Sequence, residues 1–292
     1  MVPTSMTVLR CPACAGELTL ERADNERGPV EQGSLACRCG QTFPIVDGVP
    51  DLVFPRGQSY GEEDADTYDR DIAFIARLLN EDEHEVRAKA VDLLEIAPGH
   101  RVLEVACGPG PNLPHLAARV GSGGSVWALD ISPSMLRAAR RRVQDRQEGV
   151  ELLLANGVYL PFADRSFDAL LHIGALNRYG DVRRALAEMA RVTRVGGRVL
   201  AADEGLGPWL LAGEYGSVLM RFGGLFKGSP PIGAIPADAE DVWVRWLMGH
   251  AYFAIGFRVG AGPPQLNLDT PLPGRTVTVR DVLNAQSRKD AR

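Results

Sequence analysis

The sequence has no long apolar run, no surplus of basic residues and very little lysine. No stretch reaches the about 18–20 apolar residues that a membrane-spanning helix needs, and residues 1–10 lack the apolar core of a secretory signal peptide. These two absences predict a cytoplasmic chain without a membrane span. The 37 acidic residues exceed the 32 basic residues, and the net charge of −5 argues against a nucleic-acid partner. Only three of the basic residues are lysine, a general bias that indicates no function.

Cysteine is also scarce, but four of the five cysteines are clustered near the N-terminus. They form a C-x2-C pair and a C-x-C pair separated by 22 residues, a spacing that indicates metal binding in a cytoplasmic protein. Four thiolates give a closed tetrahedral zinc site of the structural kind, and buried thiols or a redox pair are the alternatives. A module this short has too small a core to fold alone, so the zinc would supply its stability. The predicted zinc ligands are Cys11, Cys14, Cys37 and Cys39.

An apolar fraction of 45% is enough for a sizeable core in one large or two smaller domains. Short apolar runs alternate with segments of helical periodicity, which predicts an α/β fold with a doubly wound, Rossmann-like, mostly parallel sheet. Two runs joined near Gly249 and His250 predict an antiparallel closing hairpin. The predicted strands are 101–105, 125–129, 150–154, 167–173, 197–202, 242–247 and 252–259, and the predicted helices are 112–120, 133–145 and 181–193, preceded by two helices within 65–96.

One unit of strand, turn, helix and strand carries the clearest functional signal. The apolar run 101–105 leads into the tight turn Gly108-Pro109-Gly110, a helix, and a second run that ends on Asp130. Glycines in such a turn let the backbone approach a ligand closely, and an acid at the end of the next strand can hydrogen-bond ribose hydroxyls. The unit therefore predicts a nucleotide-type cofactor site. Cys107 lies in the turn, and we interpret it as a small packing residue rather than as a nucleophile.

The details of the turn point to one cofactor class. A dinucleotide fingerprint would have a third glycine where this chain has Leu113. The pattern E-x-A-x-G-x-G from Glu104 to Gly110 instead resembles motif I of the class I S-adenosylmethionine-dependent methyltransferases, with Ala106 in place of a family glycine. Segments 156–162, 166–171 and 175–197 resemble later motifs of the same family in order and spacing, most closely those of its ubiquinone/menaquinone-biosynthesis type.

The resemblance implies S-adenosylmethionine as the cofactor and a set of binding residues. Asn156 stands where the family commonly has an aspartate that accepts from the adenine amino group, and its side-chain carbonyl could still accept. The implied cofactor-binding residues are Glu104, Ala106, Gly108, Gly110, Asp130, Ile131, Asn156, Gly157, Val158 and His172.

No single catalytic residue is universal in the resembled family, so none is carried over. His172, at the end of the fourth strand, is a candidate base because an unperturbed imidazole titrates near neutral pH, and a structural or cofactor-contact histidine is the alternative. Tyr179 is the second catalytic candidate, and Glu204 is a further polar group expected near the transferred methyl.

The order of segments predicts three parts: a zinc-ribbon-like module at 1–55, a methyltransferase domain at 61–260 and a C-terminal tail at 261–292. The apolar, glycine-rich insertion 203–240 lies beyond the strand ends, where it is either a substrate cover or an ordinary packing segment.

The predicted activity is methyl transfer to a small, partly hydrophobic metabolite whose acceptor atom the sequence leaves open. A ribosomal or transfer RNA base methyltransferase is one alternative, since a zinc ribbon before such a domain resembles the bacterial 23S ribosomal RNA guanine-N1 methyltransferases. A partner-dependent or non-catalytic module is the other. The sequence does not define the oligomeric state.

Overall fold

Two sheets organise the chain, which the computed structural model describes over residues 3–25, 28–58, 65–143, 149–222 and 224–290. The smaller sheet has four antiparallel strands, and the larger has seven strands in the order β10-β11-β9-β8-β5-β6-β7. The strands are β1 Leu18–Ala23, β2 Gly33–Cys37, β3 Thr42–Val46, β4 Val49–Pro50, β5 Arg101–Val105, β6 Ser125–Asp130, β7 Val150–Leu154, β8 Phe167–Ile173, β9 Thr193–Glu204, β10 Ala239–Leu247 and β11 Tyr252–Val259. The α-helices are α1 Ala65–Leu78, α2 Glu83–Asp92, α3 Leu113–Val120, α4 Pro133–Val143, α5 Val182–Val192, α6 Glu214–Leu219 and α7 Val279–Asp290.

The large sheet confirms the predicted α/β fold. Strands β5 to β9 pair in parallel, and β11 runs antiparallel between β9 and the edge strand β10. The central strands are buried on both faces because helices cover the sheet on each side, which is why they read as continuous apolar runs. β9 begins at Thr193 rather than at 197, since the chain leaves α5 directly in extended conformation.

The two helices before the sheet are separated where the sequence indicates. α1 ends at Leu78, and Asp82 caps α2 by accepting a hydrogen bond from the Glu85 N–H at 3.0 Å. α1 packs against α2 and α4, and α2 packs against α3, an arrangement that places residues of α1 beside the cavity described below. No helix among the described residues has the length and apolarity needed to cross a bilayer.

The N-terminal module packs along the β7 edge of the large sheet. The Leu52 N–H donates to the Leu154 carbonyl at 2.7 Å, and Asp51 forms a parallel bridge with Leu154. On the other side of the module, the Ala163 N–H donates to the Val8 carbonyl at 2.8 Å. The module therefore covers an edge strand whose backbone groups would otherwise be unpaired.

Residues 262–292 form a separate compact unit. Within it, the Arg280 guanidinium pairs with Asp269 at 2.8 Å, and the Asp281 carboxylate accepts from the Thr278 N–H at the start of α7. The predicted tail thus contains a helix that its charged composition did not indicate.

Candidate active site

A cavity of about 390 Å³ opens at the carboxyl ends of the parallel strands, where ligands bind in doubly wound folds. It extends from the end of β6 to the end of β9 and the start of β11, and α1 forms part of its outer wall. The cavity-lining residues are Tyr68, Asp71, Ile72, Phe74, Ile75, Ala106, Gly108, Leu129, Asp130, Ile131, Ser132, Met135, Ala155, Gly157, Ile173, Gly174, Ala175, Arg178, Tyr179, Glu204, Phe226 and Tyr252.

The glycine turn after β5 approaches the cavity in left-handed conformation. Gly108 has a φ of 53°, and a Cβ added to it would meet no atom within 4 Å, so its open side can face a ligand. Gly110 has a φ of 78°, and an added Cβ would lie 2.7 Å from Leu113 Cδ1 and 3.1 Å from Ala139 Cβ. Gly110 therefore permits the packing of α3 and α4, and it does not line the cavity. Ala106 has a φ of 57°, a conformation that glycine adopts without steric cost.

Asp130 lies at the end of β6 with both carboxylate oxygens fixed by backbone donors. The Gly108 N–H donates to Oδ2 at 2.8 Å, and the Ser132 N–H donates to Oδ1 at 2.9 Å. Burial raises the pKa of this carboxyl, and the two N–H donors act in the opposite direction. Asp130 lines the cavity, and each of its oxygens can accept a further hydrogen bond, which suits a diol such as ribose.

The loop after β7 brings Gly157 to the cavity and turns Asn156 and Val158 away from it. The Asn156 side chain is fully buried, and its Oδ1 accepts from the Val158 N–H at 3.0 Å. Its Nδ2 donates to the Phe54 carbonyl at 3.2 Å and to Gln58 Oε1 at 2.7 Å. Asn156 thus joins the cavity wall to the segment that follows the N-terminal module.

Glu104 lies behind the glycine turn in a chain of polar side chains. Asn112 Nδ2 donates to Glu104 Oε1 at 2.7 Å, and Arg87 donates to Asn112 Oδ1 at 3.0 Å. Burial raises the pKa of Glu104 to about 7, although Asn112 and Arg87 lower it. Glu104 Oε2 is buried without a hydrogen-bond partner among the described residues, and the side chain does not line the cavity.

The two candidate catalytic residues lie together but differ in access. His172 is fully buried beneath the cavity wall, its Nδ1 lies 2.9 Å from the Val105 carbonyl oxygen, and burial lowers its pKa to about 4. Tyr179 lines the cavity, and its ring centroid lies 5.3 Å from that of His172. A Cβ on Gly157 would lie 2.1 Å from Tyr179 Oη, so only glycine accommodates the tyrosine.

The far end of the cavity contains groups for which the sequence offered no motif. Tyr68 and Ile72 come from α1, and Tyr252 comes from the first position of β11. Tyr252 is paired in register with Glu204, and its Oη donates to Glu204 Oε1 at 2.9 Å. The Tyr252–Glu204 contact depends on the antiparallel pairing of β9 with β11. The one sequence signal for it was a tyrosine at the start of an apolar run.

The four N-terminal cysteines converge in the module. Their sulfur atoms all lie within 4.8 Å of one another, with Cys11 and Cys39 at 3.7 Å and Cys14 and Cys37 at 3.5 Å. In a tetrahedral zinc–thiolate centre with bonds of about 2.3 Å the sulfurs would be about 3.8 Å apart, so this donor set fits zinc. A Cβ on Gly16 would lie 3.2 Å from two of the sulfurs, which explains a glycine at that position.

Comparison with known proteins agrees with the geometry. Residues 103–201 match a family model described as a methyltransferase domain. The chain is 38% identical over 117 residues to a demethylmenaquinone methyltransferase of Renibacterium salmoninarum, an alignment that covers 40% of this chain and 46% of that protein. It is 33% identical over 150 residues to a demethylmenaquinone methyltransferase of Bacillus cereus, covering 49% of this chain and 63% of that protein. The chain spans about half the length of the first curated relatives that it matches.

Among solved structures, the crystal structure of a possible exported protein from Bordetella parapertussis superposes with a TM-score of 0.50 at 16% identity, over 61% of this chain and 67% of that one. This similarity shows the fold alone. The family match, the curated relatives and the strand order confirm the resemblance found in the sequence. Residues 103–201 therefore match a methyltransferase domain of the kind that these curated methyltransferases contain.

Proposed function

We propose that this protein transfers a methyl group from S-adenosylmethionine to a small, partly apolar acceptor bound in the cavity. One observation carries the choice of a small acceptor. The charged residues that line the described cavity are Asp71, Asp130, Glu204 and Arg178, three acids and one base. A nucleic acid would require several arginines or lysines facing the site, so the lining argues against the RNA alternative.

The cavity residues fit the proposed cofactor at its β6 end. The open side of Gly108 would accept close approach of the ligand, and the Asp130 carboxylate would accept hydrogen bonds from both ribose hydroxyls. When bound, S-adenosylmethionine supplies an activated methyl group, so the protein mainly has to position the acceptor and exclude water. Ile72, Phe226 and Tyr252 provide apolar surface for that purpose at the other end.

The substrate cover is proposed to have two parts. From the insertion 203–240, Phe226 is buried and lines the cavity, whereas Trp209 is exposed and packs edge-on against Trp246. The helix α1 supplies more of the wall than the insertion does. The proposed cover therefore consists of α1 together with the segment around Phe226.

The proposed structural zinc would be bound by the four cysteines of the module, and the proposal is supported by the convergence of their sulfur atoms to within 4.8 Å of one another. The module is held to the β7 edge, next to the loop that carries Gly157. We infer that the zinc stabilises one wall of the cavity and does not take part in methyl transfer.

The relatives are named for quinone compounds, demethylmenaquinone among them, and such ring compounds would be in the small-molecule fraction of a cell extract. Purified protein would be incubated with methyl-tritiated S-adenosylmethionine and a cell extract separated into RNA and small-molecule fractions. Tritium is expected in the small-molecule fraction and not in RNA. Asp130→Ala is expected to weaken S-adenosylmethionine binding by roughly 1.5–3 kcal/mol in calorimetry, because two hydrogen bonds to a charged group are lost. Unchanged affinity in this variant, or label confined to RNA, would overturn the proposal.

A further inference from the structure

A carboxylate stands at the acceptor end of the cavity, well separated from the proposed cofactor end. Glu204 terminates β9 and Asp130 terminates β6, and the strands β8 and β5 lie between them. Three strand spacings of about 4.8 Å place the two strand ends about 14 Å apart. Glu204 is therefore not part of the proposed ribose site, although both residues line the same cavity.

Neighbouring groups hold Glu204 in place from two elements. The Tyr252 hydroxyl donates to its Oε1 at 2.9 Å, and Asn177 Nδ2 donates to its backbone carbonyl at 2.8 Å. The adjacent Asp203 is fully buried and receives the backbone N–H groups of Asn177 and Glu204. Burial and the neighbouring Glu204 carboxyl raise the pKa of Asp203 above the usual range of an aspartate, whereas the two backbone N–H donors lower it.

Glu204 has no ion-pair partner among the residues that the structure describes. Tyr252 and Tyr68 are the ionisable groups on other elements that interact with Glu204, and Arg87 lies beside Tyr68. Arg87 is engaged by Glu83 Oε1 at 2.6 Å and by Asn112 Oδ1 at 3.0 Å. Arg178 lines the same cavity and lowers the pKa of Asp130 at the opposite end. A carboxylate that faces a cavity under these conditions favours a ligand that brings a hydrogen-bond donor.

We propose that Glu204 accepts the proton that the methyl acceptor loses, that Tyr252 positions it, and that the acceptor is an apolar compound with an O–H or N–H group. This inference rests on the proposed methyl transfer. Carboxylate and phosphate acceptors do not fit, because they would bring a negative charge beside two acidic side chains, Asp203 and Glu204, and no hydrogen-bond donor for Glu204. Ile72, Phe226 and Tyr252 would contact the apolar body of the acceptor.

The proposed step balances in atoms and charge. The acceptor oxygen or nitrogen forms a bond to the methyl carbon with its own electron pair. The carbon–sulfur bond breaks, its electron pair stays on sulfur, and the sulfonium charge is lost. The acceptor's proton moves to the Glu204 carboxylate and from there to solvent when the cavity opens. Tyr252, which donates to the other side of the same carboxylate, fixes its orientation for this transfer.

The test compares Glu204→Gln and Tyr252→Phe with wild type, and uses Glu85→Gln as the matched control. Glu85 is an exposed glutamate on α2 whose ion pair with Lys89 lies outside the cavity. The methyl donor is tritiated S-adenosylmethionine, and the probes are 1-naphthol for O–H, tryptamine for N–H and 1-naphthoate as the anion. Calorimetry with S-adenosylhomocysteine measures the cofactor end separately.

Wild type and Glu85→Gln are expected to methylate 1-naphthol or tryptamine but not 1-naphthoate. Glu204→Gln should lower kcat by about 100-fold, the usual contribution of a positioned base, while S-adenosylhomocysteine affinity changes less than about two-fold. With 1-naphthol its rate should recover as the pH rises and the probe ionises in solution, which a purely structural defect would not produce. The kcat of Tyr252→Phe should lie between those of wild type and Glu204→Gln.

Three results would overturn the inference without refuting the proposed function: methylation of 1-naphthoate, a Glu204→Gln rate within three-fold of wild type, or cofactor binding without transfer to either donor probe, which would leave another class of acceptor. Loss of S-adenosylhomocysteine binding by wild type would instead refute the proposed function itself, so the two failures are distinguishable.

Discussion

Asn156→Asp tests whether the segment after the N-terminal module fixes the cavity wall. Asn156 Nδ2 donates to the Phe54 carbonyl at 3.2 Å and to Gln58 Oε1 at 2.7 Å, and the side chain is fully buried. An aspartate has the same shape, but it would direct an oxygen at two acceptors. The substitution restores the residue that the family commonly has at this position, so a loss of stability here is specific to this chain.

The magnitude follows from two contributions. Losing two hydrogen bonds costs about 2 kcal/mol, at about 1 kcal/mol each. The buried carboxylate can avoid its charge by taking up a proton, which from an unfolded-state pKa of about 3.9 costs at most about 4 kcal/mol at pH 7. A protonated aspartate regains one of the two donors, so the upper limit is about 5 kcal/mol. We expect the free energy of unfolding to fall by about 2–5 kcal/mol at pH 7.

The pH dependence gives a second check on the same variant. Burial among acceptors raises the pKa of the new carboxyl in the folded state, so the protonated form is favoured there. The stability that the protonated side chain of the new aspartate contributes is fully present below the unfolded-state pKa of about 3.9, and it is lost as the pH rises through the folded-state pKa. The deficit relative to wild type should therefore shrink to about 1–2 kcal/mol near pH 4.

Urea unfolding followed by circular dichroism at pH 4 and pH 7 measures both quantities. Asn267→Asp is the matched control, because Asn267 is exposed and its Oδ1 only accepts from the Asp269 N–H at 3.2 Å, a role that a carboxylate can fill. The control should change stability by less than about 0.5 kcal/mol. An Asn156→Asp deficit below about 1 kcal/mol at pH 7, or one that grows on acidification, would refute the reasoning.

Three further predictions follow from the turns and the cysteine cluster. Gly110→Ala should lower the free energy of unfolding in urea by about 3 kcal/mol, because its Cβ would clash with Leu113 and φ is 78°. Ala106→Gly, at a φ of 57°, should instead raise the free energy of unfolding by up to about 1 kcal/mol. Equal losses of stability in both variants would contradict this account. Gly157→Ala should displace Tyr179 and weaken S-adenosylhomocysteine binding at least about ten-fold in calorimetry, a cost of about 1.4 kcal/mol, so unchanged affinity would count against the placement of this wall. Elemental analysis should find one zinc per chain, and Cys14→Ser should release it and increase hydrogen exchange in 18–46 and in the contacting loop 154–163; metal-free wild type, or exchange confined to the module, would contradict the proposed coupling.

The predictable parts of this chain are those that depend on short stretches of sequence. Alternating apolar runs and helical periodicity predicted the parallel sheet, because a strand buried on both faces needs a continuous apolar run. The glycine turn and the acid at the end of β6 could likewise be recognised from local sequence, and Gly108 and Asp130 both line the cavity at its proposed cofactor end. Cys11 and Cys39 were predicted to meet because their spacing is typical of a metal module, and their sulfurs lie 3.7 Å apart.

Some site residues matched the motif without reaching the cavity. Glu104, Gly110 and Asn156 support the loops around it, and His172 lies beneath its wall. A motif fixes the positions of residues along the chain, but the direction of a side chain depends on what packs against it. For Asn156 that neighbour is the segment at Phe54, about a hundred residues away in the sequence.

The sequence by itself determined the fold class, the position of the nucleotide-type turn and the cysteine cluster, because each arises from residue types at fixed local spacing. The tertiary structure alone decided which residues line the end of the cavity where we propose that the acceptor binds. Antiparallel pairing of β11 with β9 set Tyr252 beside Glu204, and the packing of α1 against α4 brought Tyr68 to the same cavity. These contacts join distant segments, and they form only when burial of the apolar faces of the sheet and helices brings those segments together.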